Sequence, residues 1–209
     1  MLNSESLLTF IAASSLLSLA PGPDNIFVLT QSALYGRRAG ILITLGLCTG
    51  LIFHTTAVAL GVAAIFMVSA TAFTALKLVG AAYLIYLAWG AFRASAQSLD
   101  NGPNTTCPEA LALYRRGIIM NITNPKVAIF FLAFLPQFAD QSAGNLSGQL
   151  LLLGLVFILA ALVIFSIIAS LAGLIADHLQ KSSRAQLLLN RTAALILTAL
   201  ALRLATATR

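Results

Sequence analysis

The amino-acid sequence predicts an all-α integral membrane protein. Six transmembrane helices form a 3+3 inverted-repeat bundle in which helices one and four are broken. Three observations carry this reading. Of the 209 residues, 59% are hydrophobic and 9% are charged, where a soluble domain carries about 25% charged residues. The charges fall between uncharged runs long enough to cross a hydrocarbon core of about 30 Å as helix. Two of those runs are interrupted by proline beside a charge, at Pro21-Gly22-Pro23-Asp24-Asn25 and at Asn124-Pro125-Lys126.

The first run spans residues 5–36, too many for one simple crossing, so a broken helix is placed there. Proline removes a backbone donor and clashes with the preceding turn, which breaks or kinks the helix at Pro21 and Pro23. Arg37 and Arg38 close it. The 38 uncharged residues from Ala39 to Leu76 supply a second helix near 40–66 and the start of a third near 72–92. A weakly polar turn separates them around Ser69 to Thr74, and Arg93 closes the third. Residues 94–114 form the one substantial loop, with Asp100-Asn101-Gly102-Pro103-Asn104 as its turn chemistry.

A fourth helix enters at Arg115-Arg116 and runs to about Phe138, broken at Pro125. Asp140 and residues 142–148 make a short polar turn. The uncharged stretch from Gln141 to Ala176 gives a fifth helix near 149–175, followed by a polar segment with Asp177, His178, Lys181 and Arg184. The sixth has only 11 uncharged residues, between Arg191 and Arg203. Twelve steps at about 1.5 Å give roughly 18 Å, and the two arginine stems snorkel over the remainder. The whole chain, 1–209, reads as a single membrane domain. Its halves are 1–93 and 115–209, joined by the loop 94–114.

Several function classes are excluded by what is missing. The isoelectric point near 9.9 could belong to a nucleic-acid binder, but the bases are scattered between apolar spans with no basic face or aromatic platform. They serve instead as an orientation signal. Eight of them (Arg37, Arg38, Arg93, Arg115, Arg116, Lys181, Arg184, Arg191) fall on one side of a six-span arrangement and three (Lys77, Arg203, Arg209) on or near the other. The positive-inside rule then puts both termini outside and the loops after helices one, three and five in the cytoplasm. The N-terminus, with Glu5 and no base before its apolar run, does not read as a cleaved signal peptide. Cys48 and Cys107 have neither metal-like nor redox-like spacing, and no Ser/His/Asp set suggests an enzyme.

The two breaks stand in corresponding places, each in the first helix of its half. Three helices per half is an odd number, so the second half is inverted relative to the first. Carriers built in this way hold their site between interrupted helices. Asp24 lies 13 residues before Arg37, and Lys126 lies 10 residues after Arg116. At about 1.5 Å per residue both fall roughly 15–20 Å inside the cytoplasmic boundary. One half thus contributes an anion and the other a cation, at similar depth.

The residues at these breaks also carry a family resemblance. Ala20-Pro21-Gly22-Pro23-Asp24-Asn25, Gly36-Arg37-Arg38-Ala39-Gly40, Leu45-Gly46-Leu47-Cys48-Thr49-Gly50, Lys77-Leu78-Val79-Gly80-Ala81-Ala82-Tyr83-Leu84 and Asn121-Ile122-Thr123-Asn124-Pro125-Lys126 together resemble the lysine exporter / homoserine-threonine resistance (LysE/RhtB) family. The resemblance runs from the first helix to the fourth; the last third matches by hydropathy. It implies a bacterial inner-membrane carrier, not an enzyme, that exports amino acids against protons. Its partners would be an amino-acid substrate, protons and the bilayer, with no cofactor and no metal. Self-association stays open.

Each candidate residue has a plain reading beside the functional one. Asp24 either caps the helix after the proline turn or binds the substrate ammonium and a proton in turn. An intramembrane carboxylate is expensive and usually marks a site, which favours the second reading. Lys126 either neutralises Asp24 or attracts the substrate carboxylate, helped by the dipole of the half-helix it begins. Asn25, Asn121, Thr123 and Asn124 would add neutral hydrogen bonds, or else only join helices, at about 0.6 kcal/mol each. His54, mid-span on helix two, is a proton relay or a structural hydrogen-bonder, its free pKa being about 6.5. Gly46-x-x-x-Gly50 permits close helix approach. Gln31 and Tyr86 suit packing better than a cavity wall, and Lys77 anchors an outer boundary. A carrier of divalent metal or another ion is the alternative function. It would want several carboxylate, His or Cys ligands, and here only Asp24 and His54 qualify.

Overall fold

The computed structural model describes residues 4–62, 70–94, 107–140 and 143–206. The first half holds α1 (Ser4–Leu19), α2 (Pro23–Tyr35), α3 (Arg37–Ala57) and α4 (Ala70–Arg93), with a wide π-helical turn, Val58–Val62, extending α3. The second holds α5 (Ala110–Thr123), α6 (Pro125–Ile129), α7 (Leu146–Lys181) and α8 (Ser183–Thr206). A π turn, Phe130–Phe134, and a 3₁₀ turn, Leu135–Phe138, continue α6.

Among the described residues, four segments are long and apolar enough to cross a membrane alone: Arg37–Gly61, Thr74–Arg93, Leu146–Ala176 and Ser183–Thr206. The pairs α1–α2 and α5–α6 pass the same test together, bent by 56° and 50° at their breaks. Counting each bent pair as one crossing gives six. The outer surface carries many large apolar side chains: Leu60, Val79, Leu174 and Leu195 are all well exposed. Such a surface suits lipid, where the helices satisfy every backbone group internally.

Helix boundaries depart from the sequence expectation in four places. Residues 70–74 are already helical, where the sequence predicts a turn from Ser69 to Thr74; Ser69 lies outside the described residues. The turn at 100–104 also lies outside them. α5 starts at Ala110 rather than at Arg115, because Leu113 is buried and its packing draws the preceding turn into the helix. α7 runs to Lys181, and only Ser182 separates it from α8. No Pro or Gly interrupts 177–181, and an internally bonded helix need not end where the bilayer does. Arg37 and Arg38 open α3 rather than close the first crossing. The turn into them is made at Gly36, whose φ of 85° belongs to glycine.

The packing of one half maps onto that of the other. α3 lies along α5, and reciprocally α7 lies along α1 and α2; α3 also meets α7, and α4 meets α8. Exchanging the halves converts each of these pairings into another of the same set. The closest approach is between α3 and α5, where a Cβ on Gly46 would run into the Tyr114 carbonyl and one on Gly117 into that of Ile43. Small residues let these backbones touch, as in other membrane helix pairs. Between α1, the continuation of α6 and α7 lies a cluster of buried rings. Phe10, Phe130, Phe134 and Phe138 meet there, and Phe131 and Phe157 join them, at centroid separations of 4.8–6.3 Å.

Candidate functional site

Each break exposes helix ends whose backbone groups have no partner within their own helix. At the first, Gly22 is the extended N-cap of α2 and Pro23 its first residue, a place where the missing N–H costs nothing. Asp24 therefore stands in the first turn of α2, where the helix dipole favours a negative charge. The closing end of α1 is served by side chains from elsewhere. Asn25 Nδ2 donates to the Ser18 carbonyl at 2.6 Å. Lys126 Nζ donates to the carbonyls of Ala20 at 2.9 Å and Leu17 at 3.3 Å.

The second break is built on the same plan, with a local cap. Asn124 caps α6, its Oδ1 accepting from the Lys126 N–H at 3.0 Å, and Pro125 is the first helical residue. The Asn121 carbonyl, at the end of α5, accepts from the Asn124 N–H at 3.0 Å. His54 Nε2 reaches the same carbonyl at 3.2 Å from α3.

Asp24 and Lys126 come together in the middle of this. They are 2% and 6% exposed, and both line a small cavity of about 10 Å³ with Ser18, Leu51, Asn121 and Phe157. That space is about one water-sized probe, too small for any organic solute. Asp24 Oδ2 accepts from Asn121 Nδ2 at 3.1 Å, while Oδ1 has no partner. The amide of Asn124 neighbours the same carboxyl without closing a hydrogen bond. Ser18 Oγ, Asn25 Oδ1 and Asn121 Oδ1 are likewise buried and unpartnered. Buried polar atoms are ordinarily satisfied, so a cluster of exceptions at one place is informative.

On the other side of Lys126 lies a larger cleft of about 500 Å³. It is walled by both breaks (Pro21, Gly22, Pro23, Asn124, Pro125), by the Tyr86–Ala94 end of α4, and by Asn190 and Leu197 of α8. Lys126 borders cleft and cavity alike. A carboxylate, amides and two main-chain carbonyls thus surround the Lys126 ammonium.

A model of the LysE type translocator family matches residues 15–208. The chain belongs to that family. It is thus a multi-pass membrane translocator rather than an enzyme. A homoserine/homoserine lactone efflux protein of Salmonella typhimurium is 37% identical over 167 residues, 80% of each chain. YrhP, an uncharacterized membrane protein of Bacillus subtilis, is 34% identical over 77% of this chain and 80% of its own. An uncharacterized membrane protein of Vibrio cholerae is 33% identical, covering 80% and 81%. No solved structure matches.

In this LysE type translocator the two halves bring Asp24, Asn25, His54, Asn121, Asn124 and Lys126 into one buried cluster. Thr123 is not among them. It is exposed, and its hydroxyl turns back to the Ile119 carbonyl at 2.8 Å. Tyr86, expected to pack, instead lines the cleft, and Gln31 Oε1 is another buried acceptor without a partner. Sequence reasoning passed over Ser14 and Ser18, whose buried hydroxyls lie one turn apart on α1. Their i, i+4 spacing on an apolar helix was the available signal. The Leu17 carbonyl had one too, since Pro21 four residues on has no N–H to give it; that of Ala20 had none. Among the described residues, no three His, Cys, Asp or Glu side chains gather as a metal site.

Proposed function

We propose that this translocator exports amino acids or close derivatives from the cytoplasm, by proton antiport and alternating access of its two halves. One observation carries the reading: the buried anion of one half and the buried cation of the other line a single cavity. Asp24 binds the substrate ammonium or a proton, never both. Lys126 takes the substrate carboxylate. Asn121, Asn124 and Asn25 supply neutral hydrogen bonds, and His54 holds the end of α5. Among the described residues Asp24 is the one buried acid, which leaves no partner for a cationic side chain and favours a neutral amino acid. The efflux relative named for homoserine supports the same class.

The site sits in a single transport domain, in the cytoplasmic membrane, with both termini outside as the distribution of bases requires. The larger cleft, bordered by Ala94 and Asn190, is the approach from the cytoplasm. Proteoliposomes with an imposed pH gradient test the proposal. Saturable efflux of a neutral amino acid is expected from the native protein and lost with Asp24→Asn. Efflux that ignores the gradient would remove proton coupling, and no Asp24-dependent efflux of any amino acid would remove the function.

A further inference from the structure

We infer that the Leu17 and Ala20 carbonyls at the end of α1, beside Asp24, form the subsite for the substrate's ammonium group, and that Lys126 Nζ occupies it in the empty transporter. The inference rests on the proposed function for the identity of the substrate, though not for the existence of the site. Its starting point is a mismatch. Lys126 begins a helical segment, the end at which the dipole disfavours a cation, and its side chain reaches across to the closing end of α1, where a cation is favoured. There it donates to two main-chain oxygens, at 2.9 and 3.3 Å.

The surroundings exceed what one lysine uses. Asp24 Oδ1, Asn25 Oδ1 and Ser18 Oγ are buried and unpartnered, against one unpartnered amide donor, Asn124 Nδ2, so unpartnered acceptors outnumber unpartnered amide donors in this cluster. A primary ammonium brings three N–H donors and no acceptor. Gly22 keeps the place open: a Cβ there would stand 2.9 Å from Nζ and 3.3 Å from Cε. Lys126 is also the partition between the cleft and the small cavity, so a solute arriving by the cleft meets it before it meets Asp24. The incoming ammonium replaces the tethered one on Leu17 and Ala20. The released Nζ is then free to meet the substrate carboxylate. The exchange trades one cation for another and leaves the buried charge balance unchanged.

The probe is n-propylammonium, which matches the part of the lysine side chain beyond Cβ. Purified Lys126→Ala in detergent should gain a saturable rise in melting temperature of about 3 °C with it. The native protein should gain much less, and tetramethylammonium, which has no N–H, should do nothing for either. Should Lys126→Ala fold only when propylammonium is present, the inference also stands. Should it not fold at all, Asp24→Asn/Lys126→Ala is the second arm. It strands no charge and leaves both carbonyls open, and propylammonium should stabilise this variant over the native protein. Equal effects on native and variant proteins, equal effects of tetramethylammonium, or no effect on the variant that folds would overturn the subsite. Amine binding without any amino-acid efflux would leave the subsite standing and remove the export function. Export without amine binding would do the reverse.

Discussion

The two helix breaks share a design and differ in what holds them together. Each has proline as the first residue of the second half-helix and a charge as the next, Asp24 in one and Lys126 in the other. The break between α5 and α6 carries its own cap: Asn124 caps α6, and the Asn121 carbonyl is met by the Asn124 N–H and by His54 of the other half. The break between α1 and α2 has no side chain capping α2. Its own Asn25 holds the Ser18 carbonyl, and two further carbonyls are held by a lysine from the other half of the molecule. A break capped by its own side chain keeps that cap when the other half moves. One whose carbonyls rest on a distant side chain can be opened by anything that replaces that side chain.

The contrast can be broken most severely at its charges. Asp24→Asn leaves the buried Lys126 without a countercharge, a change of about 3 kcal/mol or more. Gradient-driven efflux should fall about a hundredfold or more if that cost appears in the rate. Lys126→Met should also abolish efflux and lower the melting temperature, because it strands Asp24 and frees two carbonyls. The double variant Asp24→Asn/Lys126→Met should be less destabilised than the sum of the single changes, as measured by thermal unfolding in detergent, since the residues share one cavity. Strict additivity would show the charges to be independent and would sever the two breaks.

A smaller effect is expected from Gly50→Ala. Its methyl would press on the Asn121 side chain, and overpacking of this kind costs about 1–3 kcal/mol. Efflux should fall through displacement of Asn121 from Asp24, with the protein still folded by size-exclusion chromatography. Asn124→Ala removes the local cap of the break between α5 and α6, about 1 kcal/mol, so the melting temperature should drop by about 2–4 °C. Thr123→Ala, one residue away, should change stability by no more than about 0.5 kcal/mol and leave efflux untouched. Loss of transport in that variant would return Thr123 to the site.

Much of the architecture is legible in the amino-acid sequence, for identifiable reasons. Charge-free runs separated by Arg pairs place the crossings, because hydrocarbon tolerates few charges. Pro23 and Pro125 place the breaks, because a proline removes a helical donor wherever it stands. The boundaries at Ala110 and Lys181 are hidden, since a helix can outrun its apolar stretch when packing or its own hydrogen bonds carry it. Gly46 and Gly50 suggest close packing in general. Their actual use, bringing α5 against α3 and so delivering Asn121 to Asp24, needs a partner the spacing does not name. Thr123 looks equivalent to Asn121 and Asn124 by sequence, but helix phase sends it to the opposite face.

What the sequence determined by itself is the lipid-spanning class, the two interrupted helices and the opposite charge beside each break. These follow from local composition and backbone chemistry, which hold in any tertiary arrangement. What only the tertiary structure decided is the relation between the charges. Asp24 and Lys126 share a cavity but are joined by no hydrogen bond. The ammonium rests instead on the main-chain oxygens of Leu17 and Ala20. Pro21, which has no N–H, marks the Leu17 carbonyl as one without a helical donor, but no sequence pattern names what meets it or the Ala20 carbonyl; only the fold brings a lysine from the other half to both.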